Sequence, residues 1–133
     1  MTGADPTVRE ATVPELPDVL NVLDGSALAT DAGRIRTAID AGDVLVAVAG
    51  EPSDGGRSGP VLGALVLEGE TITAVAVRRR RRDQGIGTAL VEAAARRRER
   101  LVAAFDPGVR PFWASLGFDV EPAGDGQSRG TRH

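Results

Sequence analysis

The stretch AVAVRRRRRDQGIGTALVEAAARR, residues 74–97, constrains the fold more than any other part of the chain. Its small apolar residues read as a β-strand that ends at Val77. Five arginines follow, then glycines at 85 and 87. Beyond them Ile86, Ala89, Leu90, Ala93 and Ala94 recur at helical spacing and mark a buried helix face. The start of such a helix offers unpaired backbone N–H groups and the positive end of the helix dipole. Glycines there let an anion approach the main chain closely. A strand, a basic loop and a glycine-led helix in this order suit a pyrophosphate.

Two other phosphate-binding patterns are excluded. A P-loop ends in Gly-Lys-Ser/Thr, and the chain contains no lysine. A dinucleotide fingerprint needs a third glycine where Leu90 stands, and an acidic ribose ligand about 20 residues further on is not evident. Charge is unevenly placed. Residues 78–100 hold nine arginines against Asp83, Glu92 and Glu99, a local +6 in a chain of net charge -3. Such a stripe suggests an anionic ligand. With no cysteine and one histidine, disulfides, a thiol nucleophile and a metal constellation are excluded. No apolar run approaches the roughly 18 residues of a membrane span, and a cytoplasmic protein is expected.

The rest of the chain reads as one domain over residues 1–121. TVRE (7–10) is a short strand. Thr12 and Glu15 have capping-box spacing ahead of a helix carrying Leu16, Val19, Leu20 and Leu23 and ending near Asp24-Gly25, with Pro17 expected to delay its start. Residues 31–41 form a second helix on Ile35, Ala38 and Ile39, stopped by Gly42. Strands at 44–50, 61–70 and 71–77 form an antiparallel meander, interrupted by the Gly/Ser/Pro loop 51–60. LVAAF (101–105) is a further strand, Pro107 to Leu116 a short helix, and Phe118 to Val120 a last strand. Residues 122–133, nearly free of apolar side chains, are expected to be a disordered tail. Aromatics make up only 3% of the chain, so the core must be aliphatic.

Arg82-x-x-Gly85-x-Gly87 resembles the Q/R-x-x-G-x-G/A signature of the GNAT superfamily of N-acetyltransferases. Phe112-Trp113-Ala114-Ser115-Leu116-Gly117-Phe118 resembles that family's F-Y-x-x-L-G-F segment, and VREAT with its helix resembles the family's opening. The resemblance covers residues 7–120. It implies an α/β (α+β) fold: a mixed, mostly antiparallel sheet of about six strands, splayed between 71–77 and 101–105, with about four helices. It implies acetyl-CoA as cosubstrate and an amine as acceptor. Val75, Ala76 and Val77 would meet the pantetheine arm, and a backbone N–H there would polarise the thioester carbonyl. The amides of Arg82, Asp83, Gln84, Gly85, Ile86, Gly87 and Thr88 would hold the pyrophosphate. The helix carrying Phe112 would cover the other side of the coenzyme.

The chain departs from this family in two places. Where the family has a tyrosine acid, this chain has Trp113, whose indole N–H donates a hydrogen bond but is not a useful acid; packing is the expected role. A general base is not evident. Glu70 is the candidate, through a water, with Glu68 beside it in the same turn and Thr71 and Thr73 placed to hold that water. The family's seventh strand is expected to be missing or supplied by a partner, and an exposed edge there would favour a homodimer. The acceptor is not legible: segments 11–42 and 51–60, where the family places acceptor specificity, carry no recognisable code. Two rival functions follow from the same residues. One is a coenzyme-A-binding protein without turnover. The other is a nucleic-acid-binding module using Arg78–Arg82 and Arg96–Arg100, which the acidic remainder of the chain and the absence of tyrosine for base stacking disfavour.

Overall fold

A computed structural model describes residues 7–23, 32–48, 61–78, 85–105 and 107–132. The expected helix end near residues 24–25, the loop 51–60 and residues 79–84 lie outside the described residues. The elements are β1 (Thr7–Glu10), α1 (Leu16–Val22), α2 (Ala32–Asp40), β2 (Val44–Val48), β3 (Val61–Glu68), β4 (Thr71–Val77), α3 (Ile86–Ala95), β5 (Leu101–Phe105), α4 (Arg110–Ser115), β6 (Asp119–Pro122) and β7 (Ser128–Arg132). One seven-stranded sheet has the order β1-β2-β3-β4-β5-β7-β6. The β4–β5 pair is parallel and every other pair is antiparallel. The mixed, mostly antiparallel sheet with four α-helices is the architecture expected from the sequence.

The β2–β3 part of the sheet is buried on both faces, which is why these strands read as near-continuous apolar runs. One face packs Leu45, Leu65 and Leu67 against Leu90, Val91 and Ala94 of α3. The other packs Val44, Val46 and Val66 against Val19 of α1, Leu23 just after it, and Ile35 and Ile39 of α2. Each such Leu, Ile or Val contributes about 1.5–3 kcal/mol by leaving water. Gly63 sets how closely α3 lies on β3: a Cβ there would stand 3.1 Å from Ile86 and 3.2 Å from Leu90.

Pro17 does not disturb α1. It occupies the first turn, where no intrahelical N–H is needed, and a 3-10 turn at Val13–Glu15 leads into the helix. The capping-box spacing is used: the Thr12 N–H donates to Glu15 Oε1 at 2.9 Å. Arg9 donates to both oxygens of the same carboxylate, at 2.8 and 2.6 Å.

The C-terminal segment corrects the sequence reading. Residues 128–132 are not a disordered tail but β7, a seventh strand, and β6 runs on to Pro122. β7 lies between β5 and β6 and pairs with both along its length. It needs no apolar side chains, because its partners supply them: Gly130 sits under Phe105 and Phe118, where a Cβ would stand 3.1–3.2 Å from the two rings and the Phe118 Cβ. The edge expected at β5 is therefore covered, and the reason given for a homodimer disappears with it.

Candidate active site

The site begins with an irregularity in β4. Its register against β3 runs Val66↔Ala74 and then Leu67↔Ile72, so Thr73 is an extra residue, a β-bulge. The bulge reverses which residues face which neighbour. Below it, the Val102 N–H donates to Glu70 O at 2.9 Å, so Glu70 and Ile72 face β5. Above it, the Arg78 N–H donates to Leu62 O at 2.8 Å. Residues 78, 76 and 74 then face β3, and the N–H and C=O groups of Val75 and Val77 face the opposite way. The side chains change sides too. Ile72, Val75 and Val77 share the α3 face, while Ala74 and Ala76 pack on the α1–α2 face.

Pairing of β4 with β5 ends at Ile72↔Ala103, just below the bulge. From there the strands part. β4 continues to Val77 on β3, and β5 continues to Phe105 on β7. The gap is a cleft of about 870 Å³ lined by residues 72–77 of β4, Ala103, Ala104 and Phe105 of β5, Gly85 to Thr88, and Val109, Phe112 and Trp113.

The start of α3 forms part of the wall. Gly85 caps the helix with φ +79°, a left-handed conformation that favours glycine. The first intrahelical bond there is from the Ala89 N–H to Gly85 O, at 2.9 Å. The N–H groups of Ile86, Gly87 and Thr88 therefore have no partner within the helix. A Cβ on Gly87 would stand 3.3 Å from Phe112 Cζ, so this glycine lets α3 and α4 approach across the cleft.

The far wall is aromatic. Trp113 stacks on Phe105, with ring centres 5.1 Å apart and planes 13° apart, and meets Phe112 and Phe118 edge-on at 5.2 and 5.1 Å. These four residues are the chain's entire aromatic content. Trp113 is 4% exposed, the environment of a packing residue, as its chemistry led one to expect.

Of the residues singled out in the sequence, Val75, Ala76, Val77, Gly85, Ile86, Gly87, Thr88 and Phe112 all line this one cleft. Arg82, Asp83 and Gln84 lie outside the described residues. Glu70 lies elsewhere, exposed in the β3–β4 turn, below the point where the strands part. Glu68 is paired with Arg34, whose hydrogen bonds hold its carboxyl below the usual carboxylate range. Thr73 lines the cleft, and its hydroxyl donates to Val66 O at 3.2 Å. None of the described residues lining the cleft carries a titratable side chain. Sequence reasoning missed Ala103, Ala104, Phe105 and Val109. The first three follow from the expected splay of 101–105; Val109, an exposed apolar residue at the rim, left no signal in the sequence.

The described arginines of the basic stripe do not lie together. Arg78 and Arg96 stand at opposite ends of α3, a helix of about 15 Å. Arg97 is paired with Glu10 at 2.7 Å. Arg98 donates to Asp43 Oδ1 at 2.7 Å and to Gly69 O at 2.9 Å. Two of the four arginines at 96–100 are thus held in structural pairs at the end of the molecule away from the cleft.

No family model matches the chain, and no curated protein matches it in sequence. Solved structures do match along its length. An acetyltransferase of the GNAT family from Bacillus cereus ATCC 10987 superposes with a TM-score of 0.74 at 12% identity, covering 96% of this chain and 95% of that one. The PaiA N-acetyltransferase of Thermoplasma acidophilum, in complex with coenzyme A, gives 0.75 at 12% identity over 97% and 99%. Rv2747 of Mycobacterium tuberculosis, in a structure that includes CoA, gives 0.72 at 20% identity over 95% and 98%. The likeness at these identities is one of fold, and the fold of this chain is that of the GNAT N-acetyltransferases.

Proposed function

We propose that the chain is an N-acetyltransferase that takes acetyl-CoA as cosubstrate and passes the acetyl group directly to an amine. One observation carries this reading. Backbone donors of β4 (Val75, Val77) and of the α3 start (Gly87, Thr88) line a single cleft that opens where β4 and β5 part. The strand amides suit an extended amide-bearing arm, the helix start suits a diphosphate, and the small apolar walls suit an uncharged acyl thioester. PaiA and Rv2747 share the fold and were solved with coenzyme A.

In the reaction a neutral amine nitrogen attacks the thioester carbonyl carbon. The C–N bond forms, the C–S bond breaks and thiolate departs. A β4 N–H aimed at the carbonyl oxygen stabilises the charge that develops there. A thiol of pKa about 8.5 is a fair leaving group without an acid, so a tryptophan at position 113 is compatible with turnover. The amine's proton goes to water or buffer. Such a site favours acceptors that are already partly neutral. An α-amine, pKa about 7.7–8.0, qualifies far better than a lysine amine at about 10.4.

Calorimetry with coenzyme A, followed by thiol release from acetyl-CoA with peptide N-termini, polyamines and aminoglycosides, tests the reading. Micromolar binding with turnover on an α-amine supports it; absence of binding sinks it. Binding with no turnover on any amine establishes the second reading, a coenzyme-A-binding protein. That reading is favoured by the buried Trp113 and by the placement of Glu70 away from the cleft.

A further inference from the structure

We propose that Thr73 is a positioning residue: its hydroxyl pins the β4 bulge and so keeps the amides of Val75 and Val77 turned into the cleft. The inference rests on the acetyl-CoA reading above and assigns part of the site's geometry to one side chain.

Thr73 is the residue with no partner in the β3–β4 register, and it stands where β4 leaves β5. A bulged residue gains less from the ladder than its neighbours and is held by whatever else it bonds. Here the Thr73 hydroxyl reaches across to β3 and donates to Val66 O at 3.2 Å. Val66 is the residue paired with Ala74, the first position above the bulge. The bond therefore ties the extra residue to the point where regular pairing resumes. If the bulge relaxed and Thr73 entered the ladder, the strand above it would turn over. The groups of Ala74 and Ala76 would then face the gap, and those of Val75 and Val77 would face β3. The β-branched shape of Thr73 suits a strand, but shape alone supplies no bond to Val66. Valine keeps the shape and removes the bond; serine keeps the bond and removes the methyl group.

The experiment compares the unmodified protein with T73V and T73S by calorimetric titration with coenzyme A, thermal unfolding, and amide hydrogen exchange at Val75 and Val77. T73V is expected to unfold cooperatively within a few degrees of the unmodified protein. Its coenzyme A dissociation constant should rise about three- to tenfold, the range of one neutral hydrogen bond, and exchange at Val75 and Val77 should change. T73S should return the affinity to within about twofold of the unmodified value. T73A replaces T73V if the latter does not fold. The proposal is overturned if T73V binds as tightly as the unmodified protein, or if T73S loses as much affinity as T73V. If the unmodified protein itself does not bind coenzyme A, the functional reading fails and this proposal fails with it. Loss confined to the Thr73 comparison leaves the functional reading intact.

Discussion

The two ends of the sheet are built on different physical terms. At the end where β4 begins, the chain is tied by side-chain charge. Arg98 joins Asp43 and Gly69, Arg97 joins Glu10, Arg34 joins Glu68 and Arg132 joins Glu92, while β4 and β5 are hydrogen-bonded to each other. At the end where β4 finishes, the walls of the cleft are main-chain amides, small aliphatics and aromatic rings. The tied end, where β4 and β5 are paired, lets the cleft end remain apart, and among the described residues that line the cleft none is charged. An arginine in this chain is thus more informative by its position along the strands than by its membership of a run.

The sharpest way to break that contrast is to delete packing at each end. Leu101→Ala, at a residue 1% exposed where β5 is still paired, should cost about 2–5 kcal/mol in denaturant unfolding. Val109→Ala, at a residue 47% exposed on the cleft rim, should cost less than about 0.5 kcal/mol. Equal losses would mean that the cleft end is as integral to the fold as the tied end. Gly87→Val tests the opposite property. It places a side chain against Phe112 at the start of α3 and is expected to weaken coenzyme A binding at least tenfold, about 1.4 kcal/mol, with a smaller effect on unfolding.

The reversal at the bulge gives a prediction of intermediate size. Val75→Pro removes an N–H that faces the gap, whereas Ala76→Pro removes one that bonds β3. Ala76→Pro should therefore be the more destabilising of the two by about 1 kcal/mol, while Val75→Pro should lose coenzyme A affinity in a protein that still folds. The reverse order would overturn the assignment of donors above the bulge.

A pH-dependent effect belongs to the ion pair between β1 and the turn that follows it. Arg9, by its hydrogen bonds first, holds the Glu15 carboxyl below its usual range, against the opposing pull of burial. Its folded pKa is depressed, so the stabilisation is present above the ordinary carboxylate pKa and disappears as pH falls through the folded value. Glu15→Gln should cost about 1 kcal/mol at neutral pH, and the two melting curves should converge in acid. A constant difference down to low pH would assign the loss to packing instead.

These contrasts also explain what the sequence discloses. β5 falls where its apolar run places it, and α3 where the glycine-led helical pattern does, because both elements bury their own side chains; β1 and β4, mostly half-buried, also fall at the expected bounds. The glycines at 85 and 87 are legible because the main chain needs them: one for a positive φ, the other for the approach of Phe112. β7 is illegible for the complementary reason. SRGTR buries Ser128 and Gly130 and is held by its backbone between two partners, so no hydrophobic pattern announces it. The bulge at Thr73 is hidden likewise, since TITAVAV reads as an uninterrupted strand until its register against β3 is known. The four aromatics lie within residues 105–118, but Phe105 meets Trp113 only once β5 and α4 are brought together.

The position of β7 makes its docking a condition for completing the sheet. β6 comes first along the chain yet sits outside β7, so it joins the sheet only through residues 128–132. Until those residues dock, the outer side of β5 is a bare template, with Phe105 and Phe118 lacking the glycine surface that covers them. A nascent or partly unfolded molecule would be most prone to sticking to its own kind there, and hastening the closure of that last hairpin should suppress clumping more than strengthening the interior would.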